Sequence, residues 1–241
     1  MPPALDTLLT FLRTPLTSAD AVLARFATLP GAIARGTTPR RFVLVPGTRS
    51  DRVLLVAHAD TVWDDPDAGH HVPTELDIED GVIRATTGGL GADDRAGCAI
   101  LWLLRHLGHS LLVTDGEERG RLGAQQLMAD PALAELVNTH HFAVQFDRRG
   151  RRDFKCYDVG TDEFRAYVAG QTGYTEPDRR SFTDICTLCG VIPGVNLSVG
   201  YSNEHTDEEK LVVRHWRHTL ALARRWLGPA PLPRFAGPRA G

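Results

Sequence analysis

Cysteine is scarce, and its spacing excludes one common solution. The 241 residues hold four cysteines, Cys98, Cys156, Cys186 and Cys189. Only Cys186 and Cys189 form a CxxC pair, and a zinc ribbon needs a second pair nearby. Buried or free thiols are the plain reading of that pair, with a disulfide or redox couple as the alternative. Long apolar runs are missing as well. No segment reaches about 18 uninterrupted apolar residues, so no membrane span is expected. The opening MPPALDTLLTFLRTPL has no basic start followed by an apolar core, which argues against a secretory signal and leaves the cytoplasm as the default location. Charge of one sign is not in excess either. The net charge is −3, and nothing points to nucleic acid or an anionic membrane as a partner. Internal repeats and clear domain linkers are also absent.

What remains is the composition of a folded enzyme-sized domain. Apolar residues make up 42% and charged residues 24%, as in ordinary globular proteins. A chain of this size can bury roughly 70–75% of its unfolded surface, so a core forms without disulfides. Residues 4–13 and 18–28 read as short amphipathic helices, the second opened by Ser18 as N-cap. RRFVLVPG (40–47) and RVLLVAHAD (52–60) are apolar runs joined by GTRSD, a hairpin or short-connection signal. Residues 72–87 suggest two short strands around an Asp80-Gly81 turn. AGCAILWLLRH predicts a buried helix, and 120–129 and 131–138 predict two more. SFTDICTLCG (181–190) predicts a helix ending at Gly190. Residues 207–227 predict a long amphipathic helix with an acidic start, as the helix dipole prefers. Between them, 148–181 reads as a charge run, a strand and a helix start. Alternating strands and helices imply a single α/β domain over 1–228, and the Pro/Gly-rich 229–241 reads as a disordered tail.

The chemistry-bearing residues cluster just past the apolar runs. RVLLVA leads to His58 and Asp60; HSLLVT (109–114) leads to Asp115, Glu117 and Glu118; HFAVQF (141–146) leads to Asp147; GVNLSVG (194–200) precedes His205. Between the first two lies GGLGADDRAG, with Asp93 and Asp94. Each alone has a bland reading: a structural histidine, Asp93 as the cap of the following helix, a solvated acidic turn, a surface ion pair. Open α/β sheets bind ligands beyond the carboxyl ends of their strands. A His, Asp, Glu, Asp, His set drawn from these residues, in order along the chain, reads as a two-metal site. Arg148, Arg149, Arg151 and Arg152 are candidate partners for a substrate carboxylate or a solvated basic loop, and Glu204 a candidate for a free amino terminus. Tyr174 and Tyr201 are candidate oxyanion donors.

VLLVAHADTV, GLGADDRAG, VTDGEERG, FD at 146–147 and EHT at 204–206 resemble the motifs of the di-zinc exopeptidase clan, which includes peptidase T-like, glutamate carboxypeptidase-like and leucyl aminopeptidase-like enzymes. The likeness covers about 50–210. It implies a three-layer α/β sandwich with a central, mostly parallel mixed sheet and helices on both faces. It implies that His58, Asp93 and Asp147 hold one Zn2+ and Asp93, Glu118 and His205 the other, Co2+ or Mn2+ being possible substitutes. It further implies Glu117 as general base, Asp60 as the orienter of His58, and a cis bond between Asp93 and Asp94. One departure stands out. Only 148–204 separate the fourth and fifth ligands, too few for the lid domain of the carboxypeptidase-like members. The expected activity is cleavage of a peptide or amide bond near a chain terminus by an aminopeptidase or dipeptidase. An N-acyl amino acid deacylase on the same metals, or a non-catalytic metal-bearing protein, is the alternative.

Overall fold

The structure, a computed structural model, describes residues 4–65, 73–178, 181–228 and 231–239. Along the chain it comprises α1 (Ala4–Leu12), α2 (Asp20–Ala27), β1 (Ile33–Arg35), β2 (Phe42–Val45), β3 (Leu54–His58), β4 (Leu76–Glu79), β5 (Val82–Ala85), α3 (Ala92–Leu104), β6 (Ser110–Thr114), α4 (Leu122–Met128), α5 (Pro131–Asn138), β7 (Ala143–Arg148), β8 (Phe154–Lys155), α6 (Asp162–Thr172), α7 (Ile185–Leu188), β9 (Gly194–Ser198), β10 (Tyr201–Ser202), β11 (Lys210–Val212) and α8 (Val213–Leu227).

Seven strands form the main sheet in the order β1-β2-β6-β3-β7-β9-β8. The central β6-β3-β7-β9 are parallel, and the strands flanking them are antiparallel. Successive side chains leave a strand on opposite faces. Val53, Leu55 and Ala57 therefore enter the core under α1, α2, α3 and α8, while Leu54 and Val56 enter the core under α4, α5 and α7. Burial on both faces explains why these strands read as continuous apolar runs. A second sheet, β10-β11-β5-β4, is antiparallel throughout. Asp80 and Gly81 both take positive φ in the two-residue turn joining β4 to β5, the backbone such a tight hairpin requires.

Three expectations are corrected. β2 and β3 are not a hairpin, because β6 lies between them and pairs with both. The final helix starts at Val213, not at 207; Lys210–Val212 pairs with β5 instead. Its β-branched Val212 suits a strand, and Glu209 ahead of it is buried. The tail is not wholly disordered. Residues 231–239 lie back on the domain: Leu232 N–H donates to Asp51 at 2.8 Å, Gly237 N–H donates to Val191, and the Phe235 ring sits 4.9 Å from Tyr167 and 5.3 Å from Phe164. The interval between Asp147 and His205 holds β8, α6, α7, β9 and β10. The long elements among these pack on the main body, so the domain is single and lacks a lid. Among the described residues no helix is long and apolar enough to cross a membrane. All four cysteines are free thiols, three of them buried.

Candidate metal centre

The parallel strands end together, and the chain places its acids and imidazoles there. His58, the last residue of β3, is 1% exposed. Its Nε2 lies 3.1 Å from Asp93 Oδ1 and 3.5 Å from Asp147 Oδ1. Its Nδ1 faces the Asp60 backbone carbonyl at 3.1 Å, with the Asp60 carboxylate at 3.4 Å. That contact makes Nδ1 a hydrogen-bond donor to a carbonyl and turns Nε2 toward Asp93 and Asp147, where it could ligate a metal. The Asp60 carboxylate has a second task. It accepts the backbone N–H groups of Glu117 and Glu118, both at 3.1 Å, which ties the β6 loop to the end of β3.

Asp93 and Asp94 divide the work at the start of α3, and the peptide bond between them is cis. Asp94 is the cap: its Oδ1 accepts Gly97 N–H at 3.0 Å and its Oδ2 accepts His58 N–H at 3.2 Å. The cap reading expected for Asp93 therefore passes to its neighbour. Asp93 projects instead between two histidines, with Oδ1 toward His58 and Oδ2 3.2 Å from His205 Nε2. Gly97 is required here, because a Cβ would stand 2.2 Å from the Phe146 carbonyl oxygen and 2.4 Å from Asp94 Oδ1.

Asp147 reaches the centre through an irregularity in β7. Gln145 pairs with Asn196, but Arg148 pairs with Ser198, so one extra residue is accommodated. A bulge of this kind re-aims a side chain. Asn196 fills the gap, accepting Asp147 N–H at 2.9 Å and donating to the Asp147 carbonyl at 2.7 Å. The Asp147 carboxylate then takes Thr183 Oγ1–H at 2.6 Å and the Tyr201 hydroxyl at 3.2 Å. His205 comes from the β10–β11 hairpin with φ of 66°, 2.9 Å from Glu118 Oε1.

Two ligand groups result, His58–Asp93–Asp147 and Asp93–Glu118–His205. In each, the ligand atoms lie within 4.8 Å of one another, and Asp93 is common to both. The donor set suits a divalent cation. Glu118 Oε1 is shielded from solvent and lies 2.9 Å from His205 Nε2. Electrostatics point the same way. Burial and the charge of Asp93 push the Asp147 carboxyl up to about 7. His205 is pushed up to about 10 by its bonds to Asp93 and Glu118. Burial works against a charged His58, yet Asp147, Asp60 and Asp93 together raise it well above an ordinary imidazole. Asp93 is held low, its burial outweighed by the two histidines. Crowded carboxylates of this kind want cationic partners.

Glu117 is no member of either group, but lines the same cavity of about 210 Å3 as Asp93, Glu118, Asp147 and His205. Burial pushes its carboxyl well up, with Asp147, Asp184 and Glu118 adding and His58 opposing. A larger hollow of about 600 Å3 adjoins, sharing Tyr157, Ser181 and Phe182 with the cavity. Arg148 and Arg149 line the cavity; Arg151 and Arg152 do not. Tyr174 is turned away, its hydroxyl 3.0 Å from Thr219. Sequence reading missed Asn196, Thr183 and Glu209, and it gave Asp94 no task. Glu209, 1% exposed, accepts Gly91 N–H at 2.7 Å and Asp93 N–H at 3.0 Å.

No protein-family model and no curated protein sequence matches the chain. Solved structures do. The aminopeptidase PepT of Bacillus cereus ATCC 10987 aligns over 91% of this chain and 96% of its own, with a TM-score of 0.62 and 16% identity. A tripeptidase of Staphylococcus aureus subsp. aureus Mu50 aligns over 93% and 97%, at 0.66 and 15%. The TET aminopeptidase of the marine sediment archaeon Thaumarchaeota archaeon SCGC AB-539-E09 aligns over 95% and 97%, at 0.63 and 13%. The resemblance to the di-zinc exopeptidases therefore holds for the fold. At these identities a fold does not settle an activity.

Proposed function

We propose that this chain is a metal-dependent hydrolase of a peptide or amide bond near a chain terminus, an aminopeptidase or dipeptidase working with two zinc ions. The observation that carries the reading is the shared Asp93, which lies between two groups of ligand atoms beside a cavity. His58, Asp93 and Asp147 would hold one ion; Asp93, Glu118 and His205 would hold the other. When bound, such a pair supplies Lewis-acid polarisation of the substrate carbonyl and acidifies the attacking water.

The chain's own residues do the rest. Glu117, whose carboxyl burial raises well above the usual carboxylate range, takes the proton from the water as it attacks. It returns that proton to the leaving amine, which otherwise departs as a poor anionic leaving group. Asp60 holds the Glu117 backbone and the His58 ring in register, so that proton carrier and ligand keep a fixed relation. The adjoining hollow gives room for the remainder of a short peptide.

The test is Glu117→Gln in zinc-loaded protein. Zinc content stays at the wild-type level, while turnover of amino acid p-nitroanilides falls by about 10²–10⁴. Normal turnover removes Glu117 from the mechanism. Cleavage of N-acetyl amino acids in preference to p-nitroanilides with a free amine would assign the site to a deacylase instead.

A further inference from the structure

One carboxylate in the cavity remains once the two ligand groups and the proton carrier are accounted for. Glu204 stands in the β10–β11 hairpin, next to His205, and lines the same cavity as Glu117 and Glu118. Neither ligand group includes it. Its Oε1 takes Arg149 Nη1 at 2.7 Å. Its Oε2 is shielded from solvent and has no hydrogen-bond partner. Leaving such a buried acceptor without a donor is costly, and polar atoms of this kind in a cavity call for a donor that arrives with the ligand.

The donor's chemistry follows from the acceptor. Arg149 fixes the carboxylate and answers its charge from one side only. A charged donor binds an ionised oxygen about twice as strongly as a neutral one. An ammonium group offers three donors in a compact head. In a peptide, the α-ammonium is separated from the first carbonyl by a single Cα. A group that binds it must therefore sit next to the reacting centre, as Glu204 does beside His205. We propose that Glu204 binds the free α-ammonium of the substrate and restricts the enzyme to peptides with an unblocked N terminus. The inference rests on the peptidase reading above and deepens it. An N-acylated substrate presents no cation there and leaves Oε2 unpaired.

The test separates recognition from turnover. In zinc-loaded Glu117→Gln protein, alanyl-alanine is compared by isothermal titration with propionyl-alanine, the same molecule without its amine. The amine is expected to improve Kd by about 10- to 100-fold, and adding Glu204→Gln is expected to reduce that ratio to about threefold or less. Titration with zinc alone gives the same affinity with and without Glu204→Gln, which also reports an intact fold. Equal affinity for the two compounds in the Glu117→Gln protein, or a ratio that survives Glu204→Gln, overturns the inference. Wild-type turnover is read separately. Amine selectivity without any amide cleavage supports the Glu204 site and removes the peptidase reading; cleavage indifferent to the amine does the reverse.

Discussion

Glu209 serves two backbone N–H groups with one carboxylate, those of Gly91 and Asp93, and so holds the turn that presents Asp93 to both candidate ligand groups. Burial, with the Asp93 charge adding, pushes its carboxyl up to about 8. Glu209→Gln keeps the shape but retains only one acceptor atom, so one N–H loses its partner. The expected cost is about 1–3 kcal/mol in stability, with zinc affinity about 10- to 100-fold weaker. Thermal unfolding and zinc titration measure the two effects, and unaltered zinc affinity sinks the positioning role. This residue was not legible in the sequence. In HTDEEKLVV it reads as one more acid at a helix start, and only the fold brings it to Gly91, 118 residues away. That His58, Asp60, Glu117 and Glu118 lie near one another could be read from the sequence, because each stands just past the end of an apolar run. The cap was expected at Asp93, and that Asp94 takes it instead depends on backbone geometry that spacing does not encode.

The element that aims Asp147 is the irregular stretch of β7, and its plug is Asn196. Both side-chain atoms of Asn196 stand in for ladder hydrogen bonds that the extra residue interrupts. Asn196 is itself buried, and Asn196→Val leaves the Asp147 N–H and carbonyl without those partners. We expect a loss of about 1–3 kcal/mol by chemical denaturation. Zinc affinity falls as well, since Asp147 is no longer held in place; a variant destabilised without any change in zinc affinity would separate the plug from the site. At this scale the sequence was informative for strands buried on both faces and for helices with a clear apolar stripe. It was misleading where pairing is non-local. GTRSD looks like a hairpin turn, but β6, some 60 residues on, takes the place between β2 and β3. The three residues of β11 fit the helical periodicity that follows them, and only β5 draws them into a sheet.

At the scale of the whole molecule, a strap (residues 231–239, laid back on the domain) and a buried histidine hold the far side of the sheet together. The strap's Phe235 joins a ring cluster with Phe142, Phe164 and Tyr167. Arg49 binds Asp51 and the carbonyls that end α8, and Asp51 in turn takes Leu232 N–H. Phe235→Ala is expected to cost about 2 kcal/mol, read as a lower urea midpoint, with zinc affinity unaltered because the cluster lies away from the ligands. His140 is fully buried, its Nδ1 facing the Val137 carbonyl at 2.9 Å and its Nε2 the Ser110 hydroxyl at 2.7 Å. Burial lowers it to about 4. The folded chain keeps this ring neutral, whereas the unfolded chain takes up a proton as the pH falls through about 6.5. Its share of stability is therefore complete above that value and is lost as the pH drops toward 4. Between pH 7 and pH 5 the loss is about 2 kcal/mol. His140→Gln should show a shallower decline over that window; an identical decline would place the acid sensitivity elsewhere.

The shared Asp93 has one further consequence. Each of its oxygens faces a different histidine, so ions held by the two proposed ligand groups would be linked through one carboxylate. Whatever an ion in one half does to the affinity of the other, the reverse effect has equal size and sign. Were both groups to hold ions, damage confined to His205 would be felt at His58 to the extent that the two are coupled.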